Sequence, residues 1–222
     1  MQGPRLVMIE GVAPGIGKST LAASLAGLLE SGGAAVDLFP EEQLFTRPTF
    51  ARVAQAFRGQ ASPGPELFRA AYTATIEQAR AQQAWVIFDW NCAGMASDLP
   101  WAVAEPQRLY RLVRDVRGLA ADMAPVIMSL QGDIAEATRR AAAERGQTWI
   151  DHWVAVAAGR GITEGSELDR IVRYQQMAQE LRRCDLAVLE RAGWPVVTLD
   201  ATTAPDVVLG QAVGALGLTE VG

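Results

Sequence analysis

The residues of this chain whose types and spacing most directly specify a chemistry are Gly15-Ile16-Gly17-Lys18-Ser19-Thr20. Gly15 and Gly17 admit positive φ and let the backbone approach an anion with no Cβ in the way. Successive N–H groups then point inward as an anion nest at the start of a helix. In this pattern Lys18 reaches the β- and γ-phosphates of a nucleotide, the Ser19 hydroxyl is a ligand for Mg²⁺, and Thr20 adds a hydroxyl near the α-phosphate. Ala13, Pro14 and Ile16 complete the loop, and the nucleotide expected in it is ATP with Mg²⁺. One feature departs from the usual spacing. Counting back from Lys18, the first glycine of G-x-x-x-x-G-K-[ST] falls at Val12, and Gly11 stands one residue early. The loop has therefore either gained a residue or lost that glycine.

Carboxylates and arginines supply the remaining candidates. Glu41 and Glu42 follow an apolar run at 34–39, and Asp89 closes the apolar run 85–88. A carboxylate placed there needs a cation, a hydroxyl or an arginine as partner. Arg139, Arg140 and Arg145 sit toward the end of one predicted helix, where they can fold over phosphates as a mobile lid. Arg145 is favoured for its neighbour Gly146. His152 is the only histidine and lies between Trp149 and Trp153, a setting that suits packing better than catalysis.

These residues need elements to hold them. Short apolar runs at 6–9, 34–39, 85–89, 124–130 and 196–200 read as strands buried on both faces of a parallel sheet. Helical stretches fall between them, at 18–30, 47–58, 66–82, 106–121, 133–144, 148–158, 166–191 and 205–216. Asp133 is placed to cap one helix and Thr148 the next. Residues 91–105 read as irregular. The alternation predicts a three-layer α/β/α fold around a five-stranded parallel sheet. Ligands of such sheets bind beyond the carboxyl ends of the strands, which is where the glycine-rich loop, Glu41, Glu42 and Asp89 all fall.

Composition sets outer bounds. With 222 residues, half of them hydrophobic, the chain can bury one substantial core, and a single domain over 1–222 is expected. A net charge of −5 argues against a protein that coats nucleic acid. Cys92 and Cys184 stand far apart and read as reduced thiols, which with the absence of a leader-like start predicts a cytoplasmic location. No apolar run is long enough for a membrane. The helices at 105–121 and 166–191 are candidates for pairing in a homodimer.

Taken in order, the motifs "MIEGVAPGIGKST", "LFPEE", "VIFDW", "MSLQGDIAEATRRAAAERG" and "WPVVTLDAT" resemble the deoxynucleoside kinase and thymidylate kinase branch of the P-loop kinases. The resemblance spans nearly the whole chain. It implies a P-loop fold with a helical lid at about 139–163 and an acceptor-binding helical region at about 40–82. It also implies transfer of the γ-phosphate of ATP·Mg to a small-molecule acceptor. Residue by residue, it places Lys18 on the donor phosphates, Ser19 and Asp89 at the metal, Glu42 as general base, and Arg139 and Arg145 as phosphate-binding lid cations. Trp90 stands where the family has an arginine that grips the acceptor end, with Arg47, Arg52 and Arg58 as nearby cations. That substitution points to a hydroxyl acceptor that is nucleoside-like, sugar-like or antibiotic-like. A nucleoside monophosphate acceptor and a regulatory nucleotide-binding protein are the two alternatives. Of the aromatics Phe45, Phe50, Phe57, Phe68, Tyr72, Trp90 and Trp101, one or two are expected to stack on the acceptor.

Overall fold

A computed structural model describes residues 5–218. In chain order the first strand, β1 (Leu6–Gly11), leads through the glycine-rich loop into α1 (Lys18–Ser31) and β2 (Val36–Phe39). Two 3₁₀ turns, Glu41–Phe45 and Pro48–Phe50, precede α2 (Ala51–Arg58), α3 (Pro65–Gln82) and β3 (Trp85–Phe88). Then come α4 (Pro100–Ala104), α5 (Pro106–Leu119), β4 (Val126–Gln131), α6 (Ile134–Arg145) and α7 (Gln147–Gly159). The long α8 (Glu167–Arg191), β5 (Val196–Asp200) and α9 (Pro205–Ala215) complete it. The five strands form one all-parallel sheet in the order β2-β3-β1-β4-β5. This is the α/β architecture expected from the alternation.

The strand period of two divides the core between the two faces of the sheet. Leu6 and Met8 of β1 point to one face, with Phe39, Phe88, Ile127 and the inner sides of α3, α5 and the end of α8. Val7 and Ile9 point to the other, with Ile87, Met128, Leu199 and the inner sides of α1, α6 and α9. Both faces are covered, so the strands read as continuous apolar runs. Among the described residues no helix is long and apolar enough to cross a membrane. Cys92 is buried and Cys184 exposed, and neither is in a disulfide.

Three local expectations are corrected. The helix expected over 47–58 begins only at Ala51, because Arg47 precedes Pro48 and takes an extended backbone, φ −65° and ψ 129°. The proline ring disfavours the helical region for its predecessor. Residues 91–105 are not wholly irregular, since Pro100 opens the short α4. Thr148 does not cap the lid helix. The helix break falls at Gly146, whose φ of 73° and ψ of −166° is a glycine conformation, and α7 starts one residue later. Asp133 caps α6 as expected, its Oδ1 accepting from the N–H groups of Ala135 and Glu136.

Candidate active site

The loop between β1 and α1 is shaped from below by Gly11. A Cβ there would lie 2.3 Å from the Ile16 side chain and 3.1 Å from that of Lys18. Gly11 is thus the glycine the loop folds back over, and the loop to Gly17 is one residue longer than usual. Val12 is buried instead of solvent-facing, and its N–H donates to the Leu130 carbonyl of β4 at 3.3 Å. Gly15, at φ 78°, lies directly under α6, where a Cβ would meet the Ala137 carbonyl oxygen at 2.3 Å. Gly17, at φ 106°, opens α1 with no side-chain cap. The first N–H groups of α1 are thereby left to an anion, as a phosphate site requires.

Three strand ends converge on Lys18. Its Nζ lies 3.5 Å from Glu41 Oε2, beyond β2, and 3.9 Å from Asp89 Oδ1, beyond β3. Ser19 Oγ donates to Asp89 Oδ2 at 2.5 Å. Asp89 continues the alternation of β3, which sends it to the α1 side, while Trp90 returns to the opposite face. Asp89 is buried, and no hydrogen bond reaches its Oδ1. Burial pushes its pKa up; Lys18 and the Ser19 hydroxyl pull it down, and Glu41 and Glu42 push it up again. A buried carboxylate oxygen that accepts no hydrogen bond, beside a hydroxyl and an anion loop, fits a hard divalent cation. Mg²⁺ takes only one or two protein oxygens and completes its shell with water and phosphate oxygens. Among the described residues no cluster of three or more His, Cys, Asp or Glu could hold a metal unaided. Ser19 and Asp89 are the groups that would hold Mg²⁺ here.

Glu42 is exposed in the same 3₁₀ turn, and Glu41 is the carboxylate that faces Lys18. The lid arginines also separate. Arg139 is turned outward and paired with Glu136 at 2.9 Å, and Arg145 is exposed at the end of α6. Arg140 is the one that lines a cleft with Gly17, Thr20, Leu130, Ala201 and Thr203, on the β5 side of the loop. Ala13, Pro14, Ile16 and Thr20 lie along the loop and its helix start, with Ile16 and Thr20 in that cleft.

On the far side of the sheet, Trp90 is 5% exposed and its Nε1 donates to the Tyr72 hydroxyl at 3.0 Å. Phe39, Phe50, Phe88 and Trp90 lie with ring centres 4.7 to 6.2 Å apart, mostly edge to face. Trp90 is therefore a core residue. Arg47 is paired with Asp37 at 2.6 Å and also donates to the Leu38 carbonyl and to Gln43. Arg58 donates to the Phe45 carbonyl at 2.6 Å, and Arg52 is exposed on α2. Of the seven aromatics, Phe45 alone is an exposed large side chain, in the same turn as Glu41. His152 packs edge-on against Trp153, a surface contact.

Sequence reasoning missed a buried polar layer beneath the loop. Glu10 accepts from Ser129 Oγ at 2.6 Å and from Asn91 Nδ2 at 3.0 Å, and Gln131 donates to Ser129. Burial raises the Glu10 pKa, opposed by Ser129 and by the charges of Arg182 and Lys18. Asp185 of α8 is pushed up to about 7, first by burial, with the Ser97 hydroxyl lowering it and Glu10 raising it. A glutamate closing an otherwise apolar strand was the available signal for Glu10. Arg182 and Asp185 carry none, since they sit among ordinary charges on a long helix.

No protein-family model matches the sequence, and no curated protein matches it. A crystal structure of an unliganded sugar kinase from Janibacter sp. HTCC2649 is similar over 97% of this chain and 96% of that one. The two share 16% sequence identity at a TM-score of 0.46.

Proposed function

We propose that this chain is a small-molecule kinase that moves the γ-phosphate of ATP·Mg to a hydroxyl of a nucleoside-like, sugar-like or antibiotic-like metabolite. One observation carries the reading. An uncapped, glycine-shaped loop presents Lys18 within 4 Å of two carboxylates from neighbouring strand ends, one of which also binds the Ser19 hydroxyl. A plain anion site has no use for two carboxylates, whereas phosphoryl transfer requires a metal site and a base beside the donor phosphates.

In this reading the loop amides and Lys18 hold the β- and γ-phosphates, and Arg140 closes the donor cleft. Ser19 and Asp89 would hold Mg²⁺, which would supply positive charge against the donor phosphates. Glu41 takes the proton of the acceptor hydroxyl. The acceptor oxygen bonds to the γ-phosphorus as the bridge to the β-phosphate breaks, and ADP leaves. Residues 40–82 form the acceptor wall, with Phe45 offering an exposed ring, and residues 139–163 form the lid with Arg145 near its hinge. A hydroxyl acceptor is favoured over a monophosphate because Trp90, Arg47 and Arg58 are all committed elsewhere. The protein is read as cytoplasmic.

ADP release from ATP·Mg in the presence of nucleosides, nucleoside monophosphates, sugars and hydroxylated antibiotics tests the proposal. Release driven by at least one hydroxyl acceptor is expected, and Lys18→Ala is expected to lower it by roughly 3 kcal/mol in transition-state terms, or about a hundredfold or more. Turnover confined to monophosphates would move the chain to the thymidylate-type reading. Nucleotide binding without transfer to any acceptor would leave a regulatory role.

A further inference from the structure

The C-terminal end of α8 lies over the sheet face that carries Leu6 and Met8, and Ile171, Gln175, Ala178, Asp185 and Leu189 are buried along one side of the helix. Arg182 shares that side at helical spacing. Its guanidinium is used three ways. Nη1 donates to the carbonyl of Val12, 170 residues away in sequence. Nη2 donates to Gln175 Oε1 at 3.0 Å. Its charge faces Glu10, which Ser129 and Asn91 hold from the other side.

Val12 follows Gly11 at the entrance to the loop. Its N–H is tied to β4 and its carbonyl to α8, so the two peptide groups flanking Val12 are each held by a distant element. From there the chain turns into Gly15 and Gly17, whose backbone must face the phosphates. A guanidinium suits the task because its planar fork directs two donors at fixed angles, which an ammonium on a flexible stem does not do.

We infer that Arg182 is a positioning residue for the phosphate loop: by holding the Val12 carbonyl from α8 it sets the geometry in which the loop amides and Lys18 meet the donor phosphates. The inference rests on the nucleotide-binding half of the reading above.

The test is calorimetric binding of ADP·Mg to the full chain, with adenosine binding followed by ligand-observed NMR. Arg182→Lys keeps a charge opposite Glu10 but loses the fork. It is expected to bind ADP about tenfold more weakly, the scale of one charge-assisted hydrogen bond, with adenosine binding unchanged. Added guanidinium is expected to restore ADP binding to Arg182→Ala. Should Arg182→Lys fail to fold, Gln175→Leu keeps both charges and removes only the support for Nη2, and a weaker ADP affinity is expected in the same direction. Unchanged ADP binding in the folded variant overturns the inference. So does a parallel loss of ADP and adenosine binding that tracks the folded fraction, since that marks a purely structural role. A wild-type chain that binds no ADP would instead remove the nucleotide-binding reading itself.

Discussion

At the scale of single residues, the site depends on which of two adjacent carboxylates faces Lys18. Glu41 makes the contact at 3.5 Å, and Glu42 acts only through space on Asp89. Glu41→Gln is expected to lower kcat by about 10²-fold or more, the range of general-base catalysis, with ADP affinity nearly unchanged. Glu42→Gln is expected to change kcat by only a few-fold, and steady-state rates with the identified acceptor compare the two directly. Equal effects, or a larger loss for Glu42→Gln, would return the base role to Glu42. Trp90 behaves oppositely to a site residue. Trp90→Arg puts an unpaired charge among Phe39, Phe50 and Phe88 and is expected to destabilise the fold by several kcal/mol. Trp90→Phe removes the hydrogen bond to Tyr72 and part of the packed ring, and is expected to cost about 1–3 kcal/mol in urea denaturation, with turnover retained.

At the scale of elements, the glycine-rich loop sits at a junction of β1, α1, α6 and α8. α6 presents Ala137 and Ala141 to the loop because only small side chains fit over Gly15. Gly15→Ala is expected to force α6 away and strain a backbone at φ 78°, costing about 2 kcal/mol or more and weakening ADP binding. Hydrogen exchange that rises in both the loop and α6 would show the coupling. Unaltered protection in α6 would mean the helix does not rest on the loop. The Gly146 break isolates α7, whose Trp153 packs on Tyr174 of α8 at 5.5 Å. α7 therefore rests on the helix that carries Arg182.

For the whole molecule, the buried polar layer beneath the loop links stability to pH. An unfolded chain ionises Asp185 near pH 4, while the native state keeps the proton up to about pH 7. Between those values the native state binds more protons, so stability falls as pH rises from about 4 to 7 and levels off above. Glu10, also raised by burial, contributes with the same sign. Asp185→Asn keeps an oxygen for the Ser97 hydroxyl and removes the charge facing Glu10 and Asp98. It is expected to flatten the profile between pH 4 and 7 and to raise stability at pH 8 by about 2 kcal/mol. Thermal melts across that range measure it, and a variant with the wild-type slope would place the titration elsewhere.

By itself the sequence determined the layer order, the strand ends and the donor loop. Those features are local: a period of two or of 3.6, a glycine run before Lys-Ser, and an aspartate after an apolar strand each state their own geometry. Asp89 was legible as a site candidate from its position at the end of an apolar strand, and the structure puts it beside Ser19. Only the tertiary structure decided that Glu41 meets Lys18, that Arg140 and not Arg139 lines the cleft beside the loop, that Trp90 belongs to the core, and that Arg182 reaches Val12. Neighbouring residues on a turn or helix differ by about 100° in direction, and which of them meets a distant partner is settled by packing between elements. A contact spanning 170 residues has no local period to announce it.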